Sequence, residues 1–227
     1  SIPDQYAFRH QAVLLFLQKS GVSPRSLDAV VGRGGLLRPL PSGTYRINER
    51  MLQELRNPDE GREHVVDLAA SIADGIAQEA GVPAFIVDPV CVDELEPLAR
   101  VSGLPEVERR SLSHALSLKS VARRAARDIG RSYEELNLVI VHMGGGISVS
   151  AHRKGRMVDV NQALDGTGPF SPERVGGLPF GHVLRLAFSG EPTYEDLFRR
   201  FTRQGGLVAH LGTNDAREVE KRIAEGD

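Results

Sequence analysis

The chain has 227 residues, 41% of them hydrophobic and 26% charged, and a formal net charge of -2. That balance suits one large soluble domain or two small ones and offers no field for nucleic acid, acidic membranes or other polyanions. The single cysteine, Cys91, excludes an internal disulfide framework and suits a reducing, cytoplasmic setting; the sequence shows neither an apolar run of about 20 residues nor a signal-peptide pattern.

Val13, Leu14, Phe16 and Leu17, followed by Gly21, predict a helix over 6–20. A strand over 27–31 then runs into the loop Gly32, Arg33, Gly34 and Gly35. Pro39, Pro41 and Gly43 make 36–46 rich in turns. Asn48 is placed to cap a short helix ending near residues 57 and 58, and a longer helix fits 64–80, stopped by Gly81. The apolar run 84–87 ends on Asp88 and Pro89, which reads as a buried strand with a carboxylate at its C-terminal end. Helices alternating with strands predict α/β architecture with parallel pairing.

A further helix is expected over 113–129, with Arg123, Arg124 and Arg127 on a solvated face. The pattern changes from Asn137. Strands at 138–141, 147–152 and 157–160, joined by the glycine-bearing turns GGG and RKG, predict an antiparallel meander. A glycine- and proline-rich loop over 165–179 follows, then helices at 182–188 and 194–203 and a last one starting near Asp215. A domain boundary falls naturally between residues 90 and 135.

The stretch VIVHMGGGIS, residues 139–148, carries the clearest chemical signal. It is not a P-loop, for no GxxxxGK[ST] opens a helix here, and the spacing is not GxGxxG. What remains is a hairpin whose turn amides face an anion, with glycines admitting it to hydrogen-bond distance. His142 and Ser148 flank the turn as further donors. A flexible hairpin turn with a satisfied structural histidine fits the same residues, and both readings stand at this point.

Five blocks, taken in order, carry a resemblance: VVGRGGLLRPLPSGTYRIN, FIVDPVCVDEL, RRSLSHALSLKSVARR, HMGGGISVSAHRKGRMVDVNQALDGTGPFSPERVGGLP and LGTNDAREVEKR. Together they cover most of the chain, which resembles the butyrate and branched-chain carboxylate kinases of the acetokinase family. The resemblance implies an actin-like (ribonuclease H-like) ATPase fold, with two related α/β domains around a nucleotide cleft. Residues 1–112 would form part of an N-terminal carboxylate-binding domain and 113–227 part of a C-terminal nucleotide-binding domain. Family members carry a first phosphate loop ahead of these blocks, and an adenosine loop and a magnesium-binding glutamate after them. The chain is therefore expected to be an internal piece, truncated at both ends.

The implied reaction is reversible in-line phosphoryl transfer between ATP and a short-chain carboxylate, giving ADP and an acyl phosphate, with Mg²⁺. The implied assembly is a homo-oligomer. Acetate or propionate as substrate, or an inactive nucleotide-binding fragment, are the alternatives. By the resemblance, Arg33 binds the carboxylate, His114 stands beside the transferring phosphoryl group, and Asp88 serves Mg²⁺ or its waters. His142, Gly144, Gly145, Gly146 and Ser148 hold a nucleotide phosphate, Arg174 is a second arginine at the acyl phosphate, and Asp215 with Arg217 contacts adenosine. Ser113 and Gly145 are smaller than their acetate kinase counterparts, which favours a longer acyl chain. Apart from the resemblance, Arg33 reads as a surface arginine, Asp88 as a turn cap and His114 as a helix-start residue. Arg174 reads as a partner of Glu173, and Asp215 as an N-cap. Cys91 is expected to pack as a small hydrophobe, and His10, His64, His152, His182 and His210 lack metal-ligand spacing.

Overall fold

The apolar run at 84–87 becomes the central strand of a small mixed sheet in the computed structural model, which describes residues 2–57, 64–164 and 166–227. Strand β1 (Val30–Gly32) pairs parallel with β3 (Ala84–Val87), as expected, and β2 (Thr44–Arg46) pairs antiparallel on the other side of β3. The antiparallel partner is a strand in a stretch expected to be only turns. Three residues between turns carry no alternation of their own, and pairing with β3 makes them a strand.

Helix α3 (Leu68–Ala80) packs on this sheet, and α1 (Gln5–Lys19) and α2 (Glu49–Arg56) pack against α3. Asn48 caps α2 by accepting the Met51 N–H at 3.0 Å. The longer helix starts at Leu68 rather than at residue 64. Residues 65–67 form a 3-10 turn in which His64 Nδ1 accepts the Val66 N–H and Asp67 Oδ2 accepts the His64 N–H. Gly81, at φ +74°, closes α3 in the left-handed conformation that favours glycine. Ala70, Ala73 and Ala77 of α3 meet Ile86, Leu52 and Leu55 in an apolar core that also holds Cys91. Burial pushes the Cys91 thiol up to about 11, so it packs as a neutral hydrophobe.

Residues 1–94 form this first unit and 95–227 a second, so the units part earlier than the expected cut between 112 and 113. Arg109 explains the difference: its Nη2 reaches Asp159 Oδ1 at 2.9 Å, and the Leu112 carbonyl accepts the Ala163 N–H at 2.8 Å. Both contacts tie the segment before α4 to the second sheet.

The second sheet is the expected meander of β4 (Asn137–Met143), β5 (Ile147–Arg153) and β6 (Arg156–Val160). Helix α4 (Ala115–Asp128) buries Ala115, Leu118, Ala122 and Ala126, a stripe at helical spacing, and leaves Arg123, Arg124 and Arg127 exposed. Helices α5 (Phe180–Ala187), α6 (Tyr194–Arg203), α7 (Gly206–Leu211) and α8 (Ala216–Ala224) follow. The short α7 had no sequence signal beyond its glycines. The expected ends at residues 58 and 165 lie outside the described residues. Among those described, no helix is long and apolar enough to cross a membrane.

Candidate functional site

Met143 and Ile147 are the last pair of the β4–β5 ladder, so the three glycines are the whole hairpin turn. None of the three has positive φ. Gly144 and Gly146 stand where other side chains come too close for a Cβ, and Gly145 does not. A Cβ on Gly144 would stand 2.9 Å from His142 Nε2. A Cβ on Gly146 would overlap Arg174 Nη1 and stand 2.9 Å from Arg174 Cζ and 3.2 Å from His114 Cε1. At Gly145 the nearest atom is Glu173 Oε2, at 3.6 Å. The His142 and His114 imidazoles and the Arg174 guanidinium take the space at Gly144 and Gly146, and the Glu173 carboxylate faces Gly145. Gly144 also commits its amide within the turn, donating to Gly146 O at 3.1 Å, which reduces the amides the turn offers to an anion.

His114 is the N-cap residue of α4, and its ring stacks on that of His142 with centroids 3.9 Å apart and planes 14° from parallel. Ser148 lies beneath them. Its hydroxyl accepts the His114 backbone N–H at 3.3 Å and lies 2.9 Å from His114 Nδ1. Ser148 is 0% exposed. Alternation along β5 turns it inward, onto His114, rather than towards the open side of the turn. Ser113 is buried as well, with its hydroxyl 3.9 Å from Met157 Sδ.

Arg174 is held by a loop braced on both sides. Ser171 Oγ donates to Gly145 O at 2.7 Å and accepts the Arg174 N–H at 3.1 Å, while Arg174 Nη1 donates to Ala163 O. On the far side Gly205 and Gly206 seat the loop. The Gly205 N–H reaches Glu173 O at 3.0 Å, and a Cβ on Gly206 would overlap the Ser171 carbonyl oxygen. Ser171, Gly205 and Gly206 were missed in the sequence, where only the adjacent glycines gave a signal. Glu173 accepts from Asn214 Nδ2 at 2.6 Å, which links the start of α8 to this loop. Arg174 also lines a cavity of about 550 Å³ in this unit, together with Asn161, Gln162, Val175, Leu178 and Phe201.

In the first unit, Arg33 is exposed on a loop whose next two residues are buried. Gly34, at φ +76°, packs on Pro89, and Gly35 fits between Leu55 and Asp67 with no room for a Cβ. Asp67 Oδ1 accepts the Leu36 N–H at 2.7 Å and fixes the loop. Asp88 is 1% exposed, and its Oδ1 accepts the Ser42 hydroxyl at 2.6 Å and the Gly43 N–H at 2.9 Å. A carboxylate so placed fastens the turn before β2 and does not fit a direct magnesium ligand. Among the described residues no group of three or more His, Cys, Asp or Glu is placed to hold a metal.

Asp215 caps α8 by accepting the Arg217 N–H, and its carboxylate pairs with the Arg217 guanidinium at 2.9 and 2.6 Å. That contact holds the Asp215 carboxyl down to about 2. The structure thus brings together His114, His142, the three glycines and Arg174. Asp215 and Arg217 lie one link further out, and Arg33 and Asp88 stand on the other unit.

The acetokinase family profile matches residues 106–227. Butyrate kinase 1 and butyrate kinase 2 of Clostridium acetobutylicum are each 49% identical to the chain over all 227 residues. The chain spans 64% of the length of these curated relatives. Among solved structures, a propionate kinase from Francisella tularensis matches 96% of the chain and 58% of its own, with TM-score 0.73 at 20% identity. The acetate kinase of Porphyromonas gingivalis matches 90% and 54%, with TM-score 0.70 at 20% identity. Over the matched part, these likenesses give the chain the fold of those two kinases.

Proposed function

This chain belongs to the acetokinase family, and on that premise we propose that the protein transfers a phosphoryl group between ATP and a short-chain carboxylate of the butyrate or isobutyrate type. The observation that carries the reading is the convergence of His114, His142 and Arg174 on the glycine turn at 144–146.

A short-chain carboxylic acid titrates near the ordinary range for Asp and Glu, roughly 4, so it is already ionised at neutral pH. It attacks phosphorus without a general base. The obstacle is the meeting of two anions, and catalysis comes from positioning and charge neutralisation. Two imidazoles and one guanidinium beside a turn stripped of side chains supply fixed hydrogen-bond donors for phosphoryl oxygens. Each such donor is worth on the order of 10²–10³ in rate where charge develops. Arg33, presented by the loop that Asp67 fastens, is the carboxylate-binding group of this proposal; its fork matches a carboxylate bidentately. Asp215 and Arg217 would meet adenosine by exchanging their mutual contact for the nucleotide.

Magnesium would come with the nucleotide phosphates, its usual mode of binding, and no step is assigned to it here. A homo-oligomeric assembly and a cytoplasmic setting belong to the same proposal, on the family resemblance. With Ser113 facing the core, the preference for a longer acyl chain rests on the relatives' names.

The test is acyl phosphate formation by the intact protein with ATP and Mg²⁺, trapped as the hydroxamate. Butyrate or isobutyrate should be the better substrate. Faster turnover of acetate or propionate would overturn the chain-length assignment, and no product from any of the four would overturn the kinase reading.

A further inference from the structure

Ser148 is buried directly under the imidazole expected at the reacting phosphoryl group. Its hydroxyl has one hydrogen and two lone pairs. One lone pair takes the His114 backbone N–H at 3.3 Å. Among the described residues, the acceptor within reach of the hydroxyl hydrogen is His114 Nδ1, at 2.9 Å. If Nδ1 carried the ring hydrogen, the hydroxyl hydrogen would be buried without an acceptor, an arrangement folded proteins avoid. With Nδ1 bare, every group is satisfied: Ser148 donates to Nδ1, and the ring hydrogen resides on Nε2, across the ring.

The neighbouring contacts agree. His142 stacks on His114 at 3.9 Å, and Arg174 and His114 both approach Gly146. A neutral His114 adds no second full positive charge beside that guanidinium. We infer that Ser148 is a positioning residue, which locks His114 as the neutral tautomer with its hydrogen on Nε2 and so makes that nitrogen a donor to the transferring phosphoryl group. The donor's target rests on the carboxylate kinase reading; the tautomer does not.

Long-range ¹H–¹⁵N spectra of the intact protein, with His114 assigned by comparison with His114→Gln, report the tautomer without any assay of turnover. The expected result is a pyrrole-type Nε2 and a pyridine-type Nδ1 in the parent, and a mixture of tautomers in Ser148→Ala. A parent His114 with its hydrogen on Nδ1 overturns the inference, with no variant needed. In kinetics, Ser148→Ala should lower kcat about 10- to 100-fold, less than removing a donor outright, with KM for the carboxylate nearly unchanged. Ser148→Thr, which keeps the hydroxyl, should restore most of kcat. An unchanged kcat in Ser148→Ala would also overturn it. If the spectra show the Nε2–H tautomer and no carboxylate is phosphorylated, the kinase reading fails and the lock stands.

Discussion

On the first sheet the buried residues of β3 are Ala84 and Ile86, and α3 meets them with Ala70, Ala73 and Ala77. On the second sheet β5 turns Ser148, Ser150 and His152 inward, and α4 adds Lys119, which is 0% exposed. Apolar contact is non-directional and sets only how closely a helix sits. The polar row sets direction as well. Ser150 donates to Ile140 O at 3.0 Å, so it accepts from His152 Nε2 at 2.8 Å, and His152 Nδ1 is left to accept the Tyr133 hydroxyl. Lys119 Nζ donates to Gly155 O at 3.0 Å and lies 5.6 Å from the centre of the Tyr133 ring. The first unit is a platform that presents Arg33 on one fastened loop. The second spends buried hydrogen bonds on orienting side chains, and it is the unit in which His114, His142 and Arg174 converge on the glycine turn.

The sharpest way to break this contrast is at the turn. Gly146→Ala drives a methyl into the Arg174 guanidinium and should lower kcat/KM for the carboxylate by about 10²- to 10³-fold, the loss of one charge-stabilising donor. Near-parental turnover would show that Arg174 need not stand there. Next in size is the apolar platform: Ile86→Ala empties a fully buried site and should cost about 3 kcal/mol in urea unfolding, with the site chemistry of the second unit unaffected. A fall in stability below 1 kcal/mol would mean that the first core is not closely packed there.

Ser150→Ala tests the polar row. It leaves the buried His152 Nε2–H without its acceptor, while the Ile140 carbonyl keeps its ladder partner, and should cost about 2 kcal/mol although it removes a single oxygen. A neutral outcome would reduce the row to packing. The smallest effect is on the surface. The Asp215 carboxyl is held at about 2 against an ordinary value of 3.8, so its contribution to α8 is present above the ordinary value and fades as pH falls towards 2. Helicity followed by circular dichroism between pH 4 and 2 should fall less steeply in Asp215→Asn, and identical slopes would dismiss the pair as a cap.

Alternation, helix stripes and caps made much of this architecture legible before any coordinates. The meander, α4 with its arginines outward, the Asn48 cap and the Gly81 stop all follow from local patterns, and local patterns are what a sequence writes directly. The glycine triplet likewise marked the place where something approaches the backbone. Its occupants were not legible. Arg174 lies 28 residues beyond Gly146 and reaches it because Ser171, Gly205 and Gly206 brace its loop, contacts that no periodicity encodes. Ser148 looked like a donor beside the turn until the register of β5 turned it into the core. Asp88 ended a buried strand as expected, yet its neighbours Ser42 and Gly43 came from a distant turn and claimed its oxygen. Local patterning was enough to place the longer helices, the meander and the residue types near the turn, though not β2 or α7. Only the tertiary structure decided which of them touch, because hydrogen bonds and close approaches join residues far apart in the chain and depend on their positions to within a fraction of an ångström.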